Sequence, residues 1–534
     1  MTVRLTIKAL VSLSLVMALS APAAPVAAQD ETDPNAVRMT LAECLTRAVE
    51  NNLDLRIAKL DPDAARHQVT FLDAVFDPVL GAQAGYGESD TSTTTTLNDG
   101  VNPVTSTDSD NTDSGLDGSL SLAQRLKFGG DYLVGVSASD RSSSGDSFDP
   151  NTGFFTRSSS DPQNFTVFLT FRMPLLKGFG KEVNTEGVIL AKNDVRISDE
   201  ELKRRAEVTI KTVEDAYWDV AAARAAVGVS KQSLKLAQDL FDLNKKKVEV
   251  GTLAPIEITQ AEAGVASREE GVIVAENVLR NTEDNLRRLM AVPPEDPLWD
   301  KTILPADKPK SEPSAIDLDS AISTALTERA EIKNAKTQLE SDQLSSRVAE
   351  KGIRHQLDLR VDVNTVRFDQ LSRTEVLNVA IPPTIADVDG KTEPDWRVGL
   401  VYSYPFRNRA AKAGAAIAKI NEERSQIGIE SAEQDVRVDV RTAVRAVQSG
   451  AQRVQAAHSN TVLQQKTVDA ELKKFENGMS TSFEVLRIQT DLSDAQLAEI
   501  RAILDYNRAL ADLERAKGTL LASKGLSMGT NGGR

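Results

Sequence analysis

Histidine and cysteine build most metal sites and many nucleophilic ones, and this chain has very few of either. Its histidines are His67, His355 and His458, and its single cysteine is Cys44. None of them stands near another at a spacing that would hold a metal ion or assemble a histidine-based triad. The run Gly178-Phe179-Gly180-Lys181 resembles a phosphate loop superficially, but it lacks the earlier glycine and the Ser/Thr after the lysine. It reads as a loop entering a helix. Thr481 with Glu484, and Thr40 with Glu43, have the spacing of capping boxes. This inventory calls for no catalysis, metal or cofactor, and a secreted enzyme would need a constellation that is not here.

What the sequence carries instead is repetition. Gly251 matches Gly478 at an offset of 227 (478 − 251), and the same offset pairs Ala191 with Ala418, Val213 with Val440, Val220 with Val447, Val227 with Val454, Glu257 with Glu484 and Leu286 with Leu513. One register held over so many positions is an internal duplication. Earlier segments match at 277 (321 − 44): Cys44 with Ala321, Ala48 with Ala325, Leu55 with Ile332, Ala58 with Ala335. Cys44 is therefore expected to be a small buried residue. In between, the offset falls to 231 (405 − 174), so the first copy holds 46 additional residues, which would enlarge its loops or add a hairpin. Four more around Lys177–Gly180 bring the offset to 227.

Each copy has the same plan. A helix over 183–250 stops at Gly251 and restarts at Pro255 towards Met290, and its counterpart stops at Gly478 and returns to about Lys517. Val440, Val444, Val447, Ala451 and Val454 form a heptad-like seam, with Val213, Tyr217, Val220 and Val227 in the first copy. At 1.5 Å per residue each long helix would reach roughly 100 Å, a rod rather than part of a globule. Shorter helices precede the strand regions: 41–49, then 53–71 despite Pro62, and in the second copy 316–329 and 331–351.

The strand regions alternate. Phe165, Val167, Leu169 and Phe171 share one face, with 79–87, 119–126 and 132–139 as weaker strands, while the polar stretches 89–111 and 141–160 read as exposed loops. In the second copy Leu359, Val361 and Val363 alternate with polar residues, as do Trp396, Val398, Leu400, Tyr402 and Tyr404. One apolar face suits either a soluble sheet or a porin-type strand. The aromatic ends and the leader favour the porin type. That leader has Arg4 and Lys8 before an apolar run over 9–19, then Val26-Ala27-Ala28: a signal peptide over 1–28. Beyond it no apolar run is long enough for a membrane helix, so any crossing must use a closed barrel. A formal net charge of −15, with 26% charged and 4% aromatic residues, suits solvated helices and argues against nucleic acid. The expected organisation is a first repeat over 29–292 (strands 77–175, helices 183–290), a Pro-rich linker over 293–313, a second repeat over 314–522 (strands 357–406, helices 410–518) and a flexible tail over 523–534.

Taken together, the chain resembles the TolC family of outer-membrane efflux proteins over nearly its whole mature length. The resemblance rests on Phe76-Asp77-Pro78, on Met173-Pro174-Leu175-Leu176-Lys177-Gly178 and Tyr404-Pro405-Phe406 entering the two long helices, and on the turns 250–254 and 477–481. It implies a mixed α and β fold: long antiparallel coiled-coil-like helices forming a periplasmic tunnel, and strands given to a shared trimeric β-barrel of twelve strands in the outer membrane. It implies an exit duct of a tripartite export or type I secretion system, with a periplasmic adaptor, an inner-membrane pump or ABC transporter, and outer-membrane lipid as partners. Adaptor contacts would fall at Gly251, Thr252, Leu253, Ala254, Gly478, Met479, Ser480 and Thr481. Acidic residues beyond the second turn ring the closed pore in the family; Glu484 stands at one such position and Arg487 at another, so Glu–Arg pairs could replace an all-acidic ring. The competing reading is a structural periplasmic coiled-coil protein without a barrel, which leaves the duplicated strand pairs unexplained.

Overall fold

The computed structural model describes residues 36–98, 103–149, 152–313, 315–390 and 393–526; the expected signal peptide lies outside them. The chain enters through β1 (Ala36–Met39), then α1 (Leu41–Asn51), α2 (Leu53–Ala58) and α3 (Leu60–Asp73). Thr40 closes the expected capping box: its hydroxyl accepts the Glu43 N–H while the Glu43 carboxylate accepts the Thr40 N–H at 2.9 Å. Asn52 ends α1, and its side-chain oxygen caps α2. Pro62 is tolerated because it falls in the first turn of α3, where no intrahelical donor is lost.

Four long strands follow, β2 (Val79–Asn98), β3 (Pro103–Arg125), β4 (Asp131–Asp149) and β5 (Phe154–Pro174), and then α4 (Lys181–Asn184), α5 (Glu186–Glu249) and α6 (Ile256–Leu289). After β6 (Thr302–Pro305) the second copy runs α7 (Leu318–Glu328), α8 (Ala330–Lys351), β7 (Gln356–Val376), β8 (Thr384–Asp389), β9 (Glu393–Ser403), α9 (Arg409–Glu476), α10 (Ser482–Ala516) and α11 (Leu520–Ser523). With 64 and 68 residues, α5 and α9 are about 100 Å rods. Half of each rod packs on the returning helix, α6 or α10; the other half packs on α3 and α8.

Two cores bind the rods at mid-height. In the first, Leu45, Ile210, Val213, Tyr217, Leu286 and Ile303 are all at most 1% exposed. In the second the seam valines Val440, Val444 and Val447 pack with Ile332 and Tyr506. Burying each such side chain contributes about 1.5–3 kcal/mol. Cys44 is buried in the first core, where burial pushes its thiol up to about 12 and keeps it neutral. The segment between the repeats is fastened to both cores. Its β6 pairs with β1 in parallel; Tyr217 donates to Asp307 Oδ2 (2.9 Å), Tyr506 to the Glu312 carbonyl (2.8 Å) and Asn507 Nδ2 to the Lys310 carbonyl (2.9 Å).

Three expectations need correction. Of the stretches 89–111 and 141–160, residues 99–102 and 150–151 lie outside the described residues, while 89–98, 103–111, 141–149 and 154–160 are not loops but arms of β2–β5, held in register by pairs such as Ser92↔Asp110 and Ser144↔Ser159. They carry no period-2 signal because both their faces are polar, and the ladder, not burial, holds them extended. The additional residues of the first copy form a hairpin, β3–β4, so one chain contributes a sheet of order β2-β3-β4-β5-β7, with β8 and β9 sharing the far side of β7. That is six strand positions, against the four that a twelve-stranded trimer would need. Of the tail expected over 523–534, the first residues are held, Lys524 pairing with Glu214 at 2.6 Å and Leu526 packing on the first core, while 527–534 lie outside the described residues.

Candidate functional site

The sheet sorts its side chains by face. Antiparallel partners point the same way, so the register places Leu80 and Ala82 (β2), Leu120 and Leu122 (β3), Val134 and Val136 (β4), Val167, Leu169 and Phe171 (β5), Val361 and Val363 (β7) and Trp396, Val398 and Leu400 (β9) on one side. Many of these are exposed, Leu80 by 69% and Trp396 by 70%. The other face carries Gln83, Ser121, Ser137, Thr170, Asp362 and Arg397 in the same rows, with Arg172 held to Asp131 at 3.0 Å. On β5 the apolar side runs from Phe165 to Met173, about the nine to eleven residues a tilted strand needs to cross a bilayer. At the helix-proximal rim His355 stacks on Tyr404, centroids 4.0 Å apart, beside Tyr402: an aromatic edge of the kind found at membrane interfaces. Among the described residues no helix is long and apolar enough to cross a membrane.

The opposite end of the rods is the tip. Gly251 and Gly478 adopt φ of +77° and +73°, and the following N–H groups, of Thr252 and Met479, reach back to the carbonyls of Lys247 (2.9 Å) and Lys474 (2.8 Å). These are two copies of the Schellman stop, which needs a residue free of a Cβ penalty at the left-handed position. Pro255 precedes α6, and the Thr481 hydroxyl accepts the Glu484 N–H at 3.3 Å. Glu484 does not complete a reciprocal box. Its carboxylate is taken by Arg487, whose other nitrogen reaches Asp491 at 3.1 Å; the Arg487 guanidinium holds the Glu484 carboxyl below its ordinary range. The expected pore residues thus form an acid–base–acid run on one exposed face of α10.

Of the eight expected contact residues, Gly251, Thr252, Ala254, Gly478, Met479 and Thr481 are exposed. Ser480 is half-buried, its hydroxyl donating to Glu471 at 2.6 Å, and Leu253 turns inward onto Leu240, Phe475 and Val485. The expected contacts leave out Val250, Ile256 and Phe483. All three are apolar yet exposed beside the turns, Phe483 by 67%, and the clue was an aromatic in the first turn of a helix directly after its cap. Between the copies, Lys247 Nζ donates to the carbonyls of Phe475 (2.7 Å) and Glu476 (3.3 Å) and stands 4.3 Å over the Phe475 ring.

A sheet apolar outside and polar inside, continued by duplicated rods, is the architecture of a duct. The model of the outer membrane efflux protein family matches residues 131–292 and 321–519, more than half of the chain. The chain belongs to that family. Solved structures agree on the fold: the Campylobacter jejuni CmeC outer membrane channel (16% identity, 90% of this chain and 86% of that one, TM-score 0.58), the channel CusC (15%, 90% and 92%, 0.60) and the open state of the Neisseria gonorrhoeae MtrE channel (17%, 90% and 89%, 0.59). No curated protein sequence matches the chain. The protein is an outer-membrane efflux duct of the TolC type, with its strands in the outer membrane and its rods in the periplasm, and the barrel-less coiled-coil reading is not favoured. Its family is one of trimeric transport channels, not enzymes, that work with adaptors and inner-membrane pumps.

Proposed function

We propose that three copies of this chain form a passive duct whose tip, built by the turns at Gly251 and Gly478, docks a periplasmic adaptor and opens when it does. The observation that supports the reading is the pairing of duplicated helix stops with exposed apolar residues beside them: Val250 and Ile256 at one turn, Met479 and Phe483 at the other. Both turns thereby offer an adaptor the same kind of contact. The energy for export comes from the inner-membrane pump. Opening moves the paired helices α9–α10 away from α5–α6, and the run Glu484–Arg487–Asp491 stands on the element that moves. Mild-detergent extraction of outer membranes with light scattering tests the assembly, an outer-membrane trimer being expected. Cysteines that lock the tip shut test the mechanism: unchanged export through the locked tip would sink it.

A further inference from the structure

We infer that each protomer gives the barrel six strands, so that three copies close an eighteen-stranded barrel in which β2 of one copy pairs with β9 of the next; this rests on the trimeric reading above. The repeat offsets identify the addition. Shifting by 277 lays β7 on β2 and shifting by 231 lays β9 on β5, so β3 and β4 have no counterpart in the second copy. They are not folded over the sheet as a surface loop. They stand within it: Leu120 lies opposite Ala82 on one side and Val136 on the other, and Val136 opposite Val167. Both added strands also keep the facing rule, with Leu122 and Val134 in the apolar band and Ser121 and Ser137 on the polar side. A hairpin lying outside a closed barrel would have no reason to continue both faces.

The rim holds the hairpin in place. Its turn, residues 126–130, reaches the helix-proximal edge, where the Phe128 carbonyl accepts the Gly180 N–H (2.9 Å), Lys127 pairs with Asp73 (2.7 Å) and Gln124 Nε2 donates to the Phe76 carbonyl (2.9 Å). Gly129, at φ +103°, lies so close to the Gly178 carbonyl that a Cβ there would stand 2.7 Å from it. The receiving loop around Gly178–Gly180 is the other segment found only in the first copy. The two additions therefore form one unit: four extra residues shape the seat for the turn of the inserted hairpin. Among the described residues of one chain the outer edges of β2 and β9 have no partner strand. Lipid cannot satisfy open strand edges, so they must meet in another copy of this chain. Because barrel diameter grows roughly linearly with strand number, eighteen strands make the exit about 1.5 times as wide as twelve. The rods are not multiplied with the strands, so the narrow part of the duct is the helical tunnel and its tip.

Single-particle imaging of the full-length protein in lipid nanodiscs counts strands and copies together. Eighteen strands around three copies is the expected result. Three copies with twelve strands and β3–β4 outside the wall would overturn this inference alone, whereas any other number of copies would overturn the trimeric reading beneath it. A second variant lacking residues 103–149 joins β2 directly to β5. It should remain a trimer with a barrel about two-thirds as wide, and an unchanged width would refute the inference.

Discussion

Replacing Lys247 by methionine should loosen the closed tip. The lysine sits half-buried in the last turn of α5 and donates to the two terminal carbonyls of α9, 2.7 and 3.3 Å away, where that helix carries its partial negative charge. It is a charged tie between the two coiled-coil pairs that opening would separate. Hydrogen bonds to charged groups contribute about 1.5–3 kcal/mol, and partial exposure argues for the middle of that range, about 2 kcal/mol per chain. At 1.4 kcal/mol per decade the loss shifts each chain's opening equilibrium roughly 30-fold, and three chains acting together multiply the effect. Methionine keeps the apolar packing over Phe475 and removes only the charge and its donors. Planar-bilayer recordings of the purified trimer should show more frequent and longer openings than wild type. Lys246→Met is the control, because Lys246 is exposed in the same turn. Equal open probability in K247M and wild type, with the trimer intact, would refute the reasoning, as would equal gains in K247M and K246M.

Three further substitutions test the rods and their tip. Glu207 is buried in α5 among Lys203, Arg329, Glu331 and Arg515, and burial pushes its carboxyl up to about 7. Its folded pKa is the higher one, so the stability it contributes is complete below the ordinary 4.5 and is lost as pH rises through about 7. Glu207→Gln should therefore stabilise the fold progressively more from pH 5 to pH 8, by on the order of 3 kcal/mol per chain at the upper end, read as a growing gap in melting temperature, and a pH-independent difference would refute the argument. At the tip, Gly251→Ala and Gly478→Ala should each cost about 1 kcal/mol, because nothing crowds the added methyl and only the left-handed backbone resists it. Hydrogen exchange in the last turns of α5 and α9 should speed up accordingly, less so for the asparagine variants; unchanged exchange in the alanine variants would count against it.

What the sequence made legible follows from where each signal is stored. Local chemistry read directly: the Thr40–Glu43 box, the Asn52 break and the stops at Gly251 and Gly478 are each decided within a few residues. The strands within the bilayer read partly, since Phe165–Phe171 and Trp396–Tyr402 face lipid on one side and water on the other, and the contrast prints a period of two. Beyond the bilayer the contrast vanishes, and Thr91 or Ser144 says nothing about its extended state; only the partner strand does. Side-chain ties across the fold were likewise invisible. Arg487 bridging Glu484 and Asp491 can be guessed from spacing, but Lys247 seeking the end of α9 cannot.

The inserted hairpin shows why counting the repeats mattered more than reading either one. Taken alone, the stretch from 103 to 149 is weakly patterned, offering two faint strands at 119–126 and 132–139 between polar segments that read as loops. Set against the second copy it is a surplus, and a surplus inside a membrane sheet has few physical outcomes. It must leave the lipid, or it must be hydrogen-bonded on both sides and keep an apolar face outward. The register of β3 and β4 meets the second condition strand by strand, and the seat at Gly178–Gly180 meets it at the rim. A duct can accept such a change in its barrel without altering its tip, because the two ends are joined through rods whose two largest cores, around Tyr217 and Tyr506, lie at mid-height, and the tip has a small core of its own around Leu240, Phe475 and Val485.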